Sequence, residues 1–116
     1  MPDSLDDLSR RLDAFARARD WKQFHAPKNL ASALIVEAGE LLEHFQWMTE
    51  AQSRELDPAQ RDAVAAEMAD VLLYLVQLSN ELDVDLLDAA RRKIALNEQR
   101  YPVEKARGNS RRHDAR

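Results

Sequence analysis

Residues 58–82 read PAQRDAVAAEMADVLLYLVQLSNEL, and this stretch decides the fold class. Asp57 precedes it as a typical helix N-cap, and proline, here Pro58, is favoured as the first helical residue. Apolar residues recur at steps of three and four, as on one helix face. They are Val64, Met68, Val71, Leu72, Leu75, Leu78 and Leu82. About 25 helical residues extend about 37 Å, so the stretch predicts a helix that crosses a whole small domain.

The composition favours an all-α protein and excludes several other classes. The 116 residues suffice for one domain, and they contain 18 Ala and 16 Leu against nine Val, Ile and Thr together. Ala and Leu favour helices, whereas β-branched residues favour strands. The absence of cysteine excludes disulfide frameworks, zinc fingers and thiol nucleophiles. No apolar run approaches 18 residues and the acidic N-terminus does not resemble a secretory signal, so we expect a cytoplasmic protein without membrane contact.

Three further helices are predicted around the long one. Capping residues and apolar periodicity place them over residues 4–20, 29–47 and 85–100. The segments 21–28 and 49–57 are interpreted as connections, the second as a loop or short turn. Short connections between long helices predict an antiparallel four-helix bundle.

The last ten residues differ in character from the rest. Residues 107–116 carry four Arg and one Asp and lack apolar periodicity, so we interpret them as a flexible basic tail after an all-α domain over residues 1–106. The whole chain has a net charge of -4. Because the acidic body opposes an attraction to phosphates, we expect no nucleic-acid binding.

Two pairs of acidic residues border apolar helix faces. Glu37 and Glu40 lie three apart in the second predicted helix, and Glu67 and Asp70 have the same spacing in the third. Residues three apart share a helix face, so the two pairs can face each other if these helices pack antiparallel. Gly39 costs about 1 kcal/mol inside a helix relative to alanine, and this predicts close approach of a backbone or a ligand.

Clustered carboxylates cannot all stay ionised without compensation, so their pKa values rise or a cation lies among them. An all-oxygen site suits Mg²⁺ or Mn²⁺, and Mg²⁺ commonly completes its shell with substrate phosphates. Such pairs also occur by chance on solvated helices, but two pairs beside apolar faces favour the metal site. A di-iron bundle requires Glu-x-x-His, and none of the three histidines has a glutamate three residues before it.

Aromatic and basic residues near the acids are candidates for ligand binding. Trp21 and Trp47 fall near predicted helix ends, where a tryptophan can stack on a flat ligand as well as pack in the core. His25 is near Trp21, and Tyr74 shares the helix face of Asp70. The last predicted helix has polar residues spaced four and three apart on one face. This face is either solvated or binds phosphates. These residues are Lys93, Asn97 and Arg100.

Three segments together resemble one protein family. They read WKQFHAPKNLASALIVEAGELLEHFQW, EMADVLLYL and KIALNEQRYPV. E-x-x-E followed after 26 residues by E-x-x-D, with H-x-P-K-N-L and F-Q-W beside the first motif, is a specific combination. Over about residues 5–108 the chain resembles the MazG-like all-α nucleoside triphosphate pyrophosphohydrolases, in the dCTP pyrophosphatase-like branch.

The resemblance implies a reaction and a set of roles. Such enzymes hydrolyse a nucleoside triphosphate between its α- and β-phosphates, giving the monophosphate and pyrophosphate. It implies that the four acids bind Mg²⁺ and serve catalysis: Glu37, Glu40, Glu67 and Asp70. It implies that a second set binds the nucleotide: Trp21, His25, Trp47, Tyr74, Lys93, Asn97 and Arg100. Homo-oligomers, dimers or tetramers, are also implied.

One position departs from the family pattern. Leu12 stands where the vertebrate members have a histidine that contributes to the base pocket, so the preferred base and modification are open. The alternative function is a catalytically silent helical module for oligomerisation or interaction. The presence of all four acids favours the enzyme.

Overall fold

The computed structural model describes residues 4–110, and this part of the chain consists of helices and the turns that connect them. The helices are α1 (Leu5–Ala18), α2 (Pro27–Glu43), α3 (Glu50–Ser53), α4 (Pro58–Glu81), α5 (Leu86–Arg100) and α6 (Val103–Ala106), with a 3-10 turn at Lys22–Phe24. The prediction of an all-α fold is confirmed. The four long helices correspond to those predicted from the sequence.

Side-chain caps begin three of the long helices where the sequence predicts them. The Asp7 N–H donates to the Ser4 hydroxyl at 3.0 Å at the start of α1. Asp57 and Gln60 form a reciprocal capping box at the start of α4, and Asp85 caps α5. Since a cap satisfies backbone donors that lack helical partners, these starts are determined locally.

The second helix differs from its prediction at both ends. It begins at Pro27 rather than at position 29, because Ala26 is extended and proline is preorganised for the first helical position. It ends at Glu43 rather than Trp47, since the following residues tighten into i to i−3 hydrogen bonds between His44 and Leu41 and between Phe45 and Leu42.

Two one-turn helices were not assigned from the sequence. In the predicted loop 49–57, Thr49 and Gln52 form a capping box for α3. After Pro102, one turn forms α6. Both are shorter than the apolar periodicity can detect.

The first of two compact units runs to Val84, and α4 is its central element. α4 packs against α2 and, less extensively, against α1. The buried apolar residues of this unit are Ala16, Leu30, Val64 and Val76. Ser9 and Asn80 join α1 to α4 by two hydrogen bonds: the Ser9 hydroxyl donates to Asn80 Oδ1, and Asn80 Nδ2 donates to the Ser9 carbonyl at 3.1 Å.

The second unit begins at Asp85 and contains α5 and α6. The predicted domain boundary after residue 106 stays a prediction, and most of the predicted tail, residues 111–116, lies outside the described residues. None of the helices between residues 4 and 110 is long and apolar enough to cross a membrane.

The expectation of a close approach at Gly39 stays a prediction for a ligand or a second chain. A Cβ atom built at this position would meet no atom within 4 Å among the residues described. The close approach that the in-helix glycine predicted is therefore not made by this chain.

Candidate functional site

Three of the four predicted acidic ligands converge where α2 faces α4. Carboxylate oxygens of Glu37, Glu67 and Asp70 lie within 4.8 Å of one another. Glu37 and Glu67 are half-buried, and Asp70 is exposed. The packing of α2 on α4 brings together groups that are about 30 residues apart in the sequence.

The geometry of this cluster raises two pKa values. The Glu67 carboxyl at hydrogen-bonding distance, followed by burial and the neighbouring Glu40 carboxyl, raises the pKa of Glu37 to about 7. The Glu37 carboxyl at hydrogen-bonding distance lowers the pKa of Glu67, but burial and the neighbouring Glu40 and Asp70 carboxylates outweigh it, so the net shift is upward. The fourth predicted ligand, Glu40, is thus close enough to act on both buried acids, although it lies outside the tight group of three.

The buried carboxylate oxygens lack partners. Glu37 Oε2 and Glu67 Oε2 are inaccessible to solvent and receive no hydrogen bond from the described residues. An unpaired buried carboxylate oxygen is costly, and a shared proton or a cation removes that cost. Carboxylate oxygens at this spacing are the ligands that divalent cations with oxygen preference take, so the residues present fit a metal ion.

A cavity of about 610 Å³ opens beside the cluster. Its wall combines α1, the residues on either side of the 3-10 turn, and α4, and most of it is apolar. The lining residues are Leu8, Arg11, Leu12, Phe15, Trp21, His25, Asp70, Leu73, Tyr74 and Gln77. Asp70 belongs both to this wall and to the carboxylate cluster, so a ligand in the cavity reaches the candidate metal site. The volume is within the usual range for small-molecule sites.

A tight helix ending places Trp21 in the cavity wall. The N–H groups of Trp21 and Asp20 donate to the carbonyls of Ala16 and Arg17 at 2.9 and 3.1 Å, and Asp20 has a φ of 53°. This is the Schellman motif, which ends a helix through one left-handed residue. The Trp21 ring then packs edge-on against Phe15 at 5.6 Å between centroids.

The structure brings some of the predicted nucleotide-binding residues together in one cavity. Trp21, His25 and Tyr74 line the same cavity, as does Leu12, the position that departs from the family pattern. Trp47 is 89% exposed and is not among the residues that line the cavity of this chain. The remaining predicted residues are exposed on α5 in the second unit and stay predictions: Lys93, Asn97 and Arg100.

Several cavity residues were not identified from the sequence as part of a site. They are Leu8, Arg11, Phe15, Leu73 and Gln77. The apolar members carry the same periodicity as ordinary core residues, so the pattern could not separate the two roles. Gln77 is an amide within an otherwise uncharged, largely apolar run from Val71 to Leu78. This interruption is the sequence feature that could have identified it as a site residue.

Together, the fold and the site define an all-α protein with an acidic cluster that shares Asp70 with the wall of a cavity of about 610 Å³. Residues 33–114 match the MazG-like family. The chain is 44% identical to human dCTP pyrophosphatase 1 over 112 residues, 95% of this chain and 66% of that protein. It is 46% identical to the mouse dCTP pyrophosphatase 1 over 109 residues, 92% of this chain and 64% of that protein. The chain belongs to the MazG-like family.

A solved structure gives the same result for the fold. A pyrophosphatase from Archaeoglobus fulgidus superposes with a TM-score of 0.79 at 37% identity, covering 84% of this chain and 91% of that chain. The chain spans slightly less than two thirds of the rodent relatives' length.

Proposed function

We propose that this protein is a nucleoside triphosphate pyrophosphohydrolase that acts on dCTP or a modified dCTP. The reaction adds water across the anhydride bond between the α- and β-phosphates and releases the monophosphate and pyrophosphate. The observation that carries the proposal is the position of Asp70, which is shared by the carboxylate cluster and the cavity wall. The names of the mammalian relatives, dCTP pyrophosphatase 1, support the choice of substrate.

Glu37, Glu67 and Asp70 are the residues that would hold a divalent cation, Mg²⁺ or Mn²⁺. Their oxygen donors and the two unpartnered buried oxygens support this assignment. A bound divalent ion supplies neutralisation of phosphate charge and a lowered pKa for bound water. Glu40 is exposed beside the buried acids, and this position suits it to accept a proton from the attacking water or to complete the ligand set.

The cavity would bind the nucleoside part of the substrate. Trp21 offers an aromatic face for the base, while His25 and Tyr74 add hydrogen-bonding groups to a mainly apolar wall. Trp47, Lys93, Asn97 and Arg100 are proposed as further contacts to base, sugar and phosphates on the basis of the family resemblance.

We further propose that the protein works as a homo-oligomer in the cytoplasm. Many large apolar side chains are exposed in the single chain, Trp47 and Ile35 most of all among those on the first unit. The exposure of so many large apolar side chains supports a subunit interface. A partner subunit would also provide surroundings for Trp47 that the single chain lacks. Cell fractionation tests the location.

Product analysis with Mg²⁺ across canonical and modified dNTPs and NTPs tests the reaction. We expect pyrophosphate and dCMP, or a 5-substituted dCMP, from the matching triphosphate. Inorganic phosphate with a diphosphate would contradict the proposed bond. No product from any nucleotide in a folded protein would support the silent interaction module instead.

Glu40→Gln tests the site with a conservative change. We expect kcat to fall by about 10²-fold, the loss typical for removing one group that acts on the reacting atoms, with thermal stability retained because Glu40 is exposed. Glu43→Gln, three residues on at the exposed end of α2, is the matched control. Unchanged turnover in Glu40→Gln would remove this residue from the site.

A further inference from the structure

Gln77 is a polar residue of the cavity wall that the proposed reaction leaves without a role. It lies on α4, three residues after Tyr74 and seven after Asp70. It is half-buried, yet its side-chain amide makes no hydrogen bond within residues 4–110. The donors and acceptor of this amide are therefore available to a ligand in the cavity.

The described residues around Gln77 do not pair with its amide. The nearby cavity wall is largely apolar and includes Leu12, Phe15 and Leu73. Gln77, Leu12 and His25 also line a second, small recess whose wall includes Lys22 and Glu81. Those two charged groups pair with each other, so they do not serve the amide.

The distance from the metal cluster suits a base contact. Seven residues on a helix correspond to about 10 Å along its axis, which places Gln77 two turns beyond Asp70 on nearly the same face. This separation is comparable to the span of a nucleoside from its 5′ phosphate to the far edge of its base. A nucleotide with its phosphates at Asp70 therefore presents its base edge at the level of Gln77.

We propose that the side-chain amide of Gln77 hydrogen-bonds the edge of the nucleobase and is a specificity-determining residue of this site. An amide offers one donor and one acceptor side by side, which complement the amino group and ring nitrogen of cytosine. The apolar neighbours strengthen discrimination, because a base without these groups leaves the amide unpaired in the complex. The inference rests on the proposed function and assigns one determinant of its base specificity.

The test compares dCTP with its 2-pyrimidinone analogue, which has hydrogen in place of the 4-amino group, in wild type and in Gln77→Met. Methionine keeps the length and flexibility of the side chain and removes the amide. In wild type we expect kcat/KM to be about 10-fold higher for dCTP than for the analogue, the scale of one or two hydrogen bonds. In Gln77→Met this ratio of kcat/KM values should fall to about 1. We expect the fall to come from a higher KM for dCTP, with kcat little changed.

The controls separate this role from a structural one. Gln99→Met makes the same change at an exposed position on α5 and should keep the wild-type ratio. Thermal midpoints verify folding, and Gln77→Leu provides a second apolar replacement. An equal loss for both nucleotides, with the ratio unchanged, overturns the inference while the proposed function stands. Release of pyrophosphate from no nucleotide by wild type overturns both.

Discussion

Glu37 combines an unpaired buried oxygen with a raised pKa. Its buried Oε2 has no donor among the described residues, and the adjacent Glu67 carboxyl raises its pKa to about 7. The folded chain without metal therefore binds a proton at a pH where an unfolded glutamate, with a value of 4.5, has lost it. Proton and divalent cation compete for the same oxygens.

The pH dependence of stability follows from this shift. A raised folded-state pKa contributes stability that is complete below about pH 4.5 and is lost as the pH rises through about 7. We expect the thermal midpoint of the metal-free protein to fall between pH 5 and pH 8, and Mg²⁺ to restore it at pH 8. Calorimetry with and without EDTA measures this.

Glu37→Gln should flatten the pH profile, because the amide does not titrate. Glu55→Gln, at an exposed position, should keep the wild-type profile. The thermal midpoints of metal-free wild type and Glu37→Gln are compared at each pH. If the wild-type midpoint rises toward pH 8 relative to that of the variant, the assigned pKa shift is contradicted.

At the scale of elements, two helices end in the same C-terminal motif, with an aspartate in the left-handed conformation. α1 ends through Asp20 and α4 through Asp83, with φ values of 53° and 54°. In both, the next residue donates its N–H back to a carbonyl five residues earlier at 2.9 Å. An apolar residue, Trp21 or Val84, follows the aspartate each time. The first of these endings positions the cavity residue Trp21.

Asp20→Val and Asp20→Gly form a matched pair for this ending. A left-handed conformation costs a residue with a Cβ about 1–2 kcal/mol, most for a β-branched side chain, and glycine almost nothing. We expect urea denaturation to show a loss of about 1 kcal/mol or more in Asp20→Val and little change in Asp20→Gly. The valine variant should also raise KM, since Trp21 is displaced. Equal stabilities of the two variants would argue against the left-handed ending.

Lys22 connects the same turn to α4. Its Nζ lies 2.9 Å from Asp13 Oδ1 and also pairs with Glu81, and these two acids, Glu81 first, raise the pKa of Lys22. The side chains are half-buried, so the pairs are less screened than surface ones. Lys22 thereby ties the segment that carries Trp21 and His25 to the helix that carries Asp70.

Lys22→Met should disturb both stability and substrate binding. It leaves Asp13 and Glu81 without their shared cation, and we expect a loss of about 1 kcal/mol in urea denaturation. KM for the nucleotide should rise several-fold with a smaller effect on kcat, because the turn is loosened and the carboxylate cluster is untouched. Lys28→Met, at an exposed position in α2, is the control. A change in kcat alone would contradict a positioning role.

At the scale of the whole molecule, the single chain buries little of its apolar surface. Four hydrophobic residues are buried in the described part, whereas Ile35 and Leu42 on α2 are 71% and 63% exposed. Met68, beside the catalytic candidate Glu67, is 58% exposed. Such a surface beside a functional cluster is consistent with subunits that meet near the site.

Light scattering after gel filtration tests the assembly. We expect a mass of at least twice the chain mass of 13.3 kDa. Ile35→Glu should reduce that mass while helicity is retained, since Ile35 is exposed in the single chain. Ala59→Glu, on the exposed first turn of α4, should leave it unchanged. A wild-type mass of one chain would contradict the proposed oligomer.

Sequence reasoning was accurate where local chemistry decides the outcome. The Asp57-Pro58 start of α4 and the ends of α5 follow from capping and proline geometry. The end of α2 at Glu43 was less predictable, because Phe45 continues the apolar pattern of Leu41 and Leu42 beyond the helix. The close approach expected at Gly39 is not made by the described residues of this chain, since the energetic cost of glycine identifies no particular neighbour.

The sequence by itself determined the four long helices, most of their starts and the two acid pairs, because caps, periodicity and three-residue spacing act within a few turns of chain. Only the tertiary structure decided that Glu37 meets Glu67 and Asp70, that Trp21, His25 and Gln77 share one cavity, and that Trp47 is exposed in the single chain. These features depend on contacts between residues far apart in the chain. The packing of helices settles such contacts, and no local pattern encodes it.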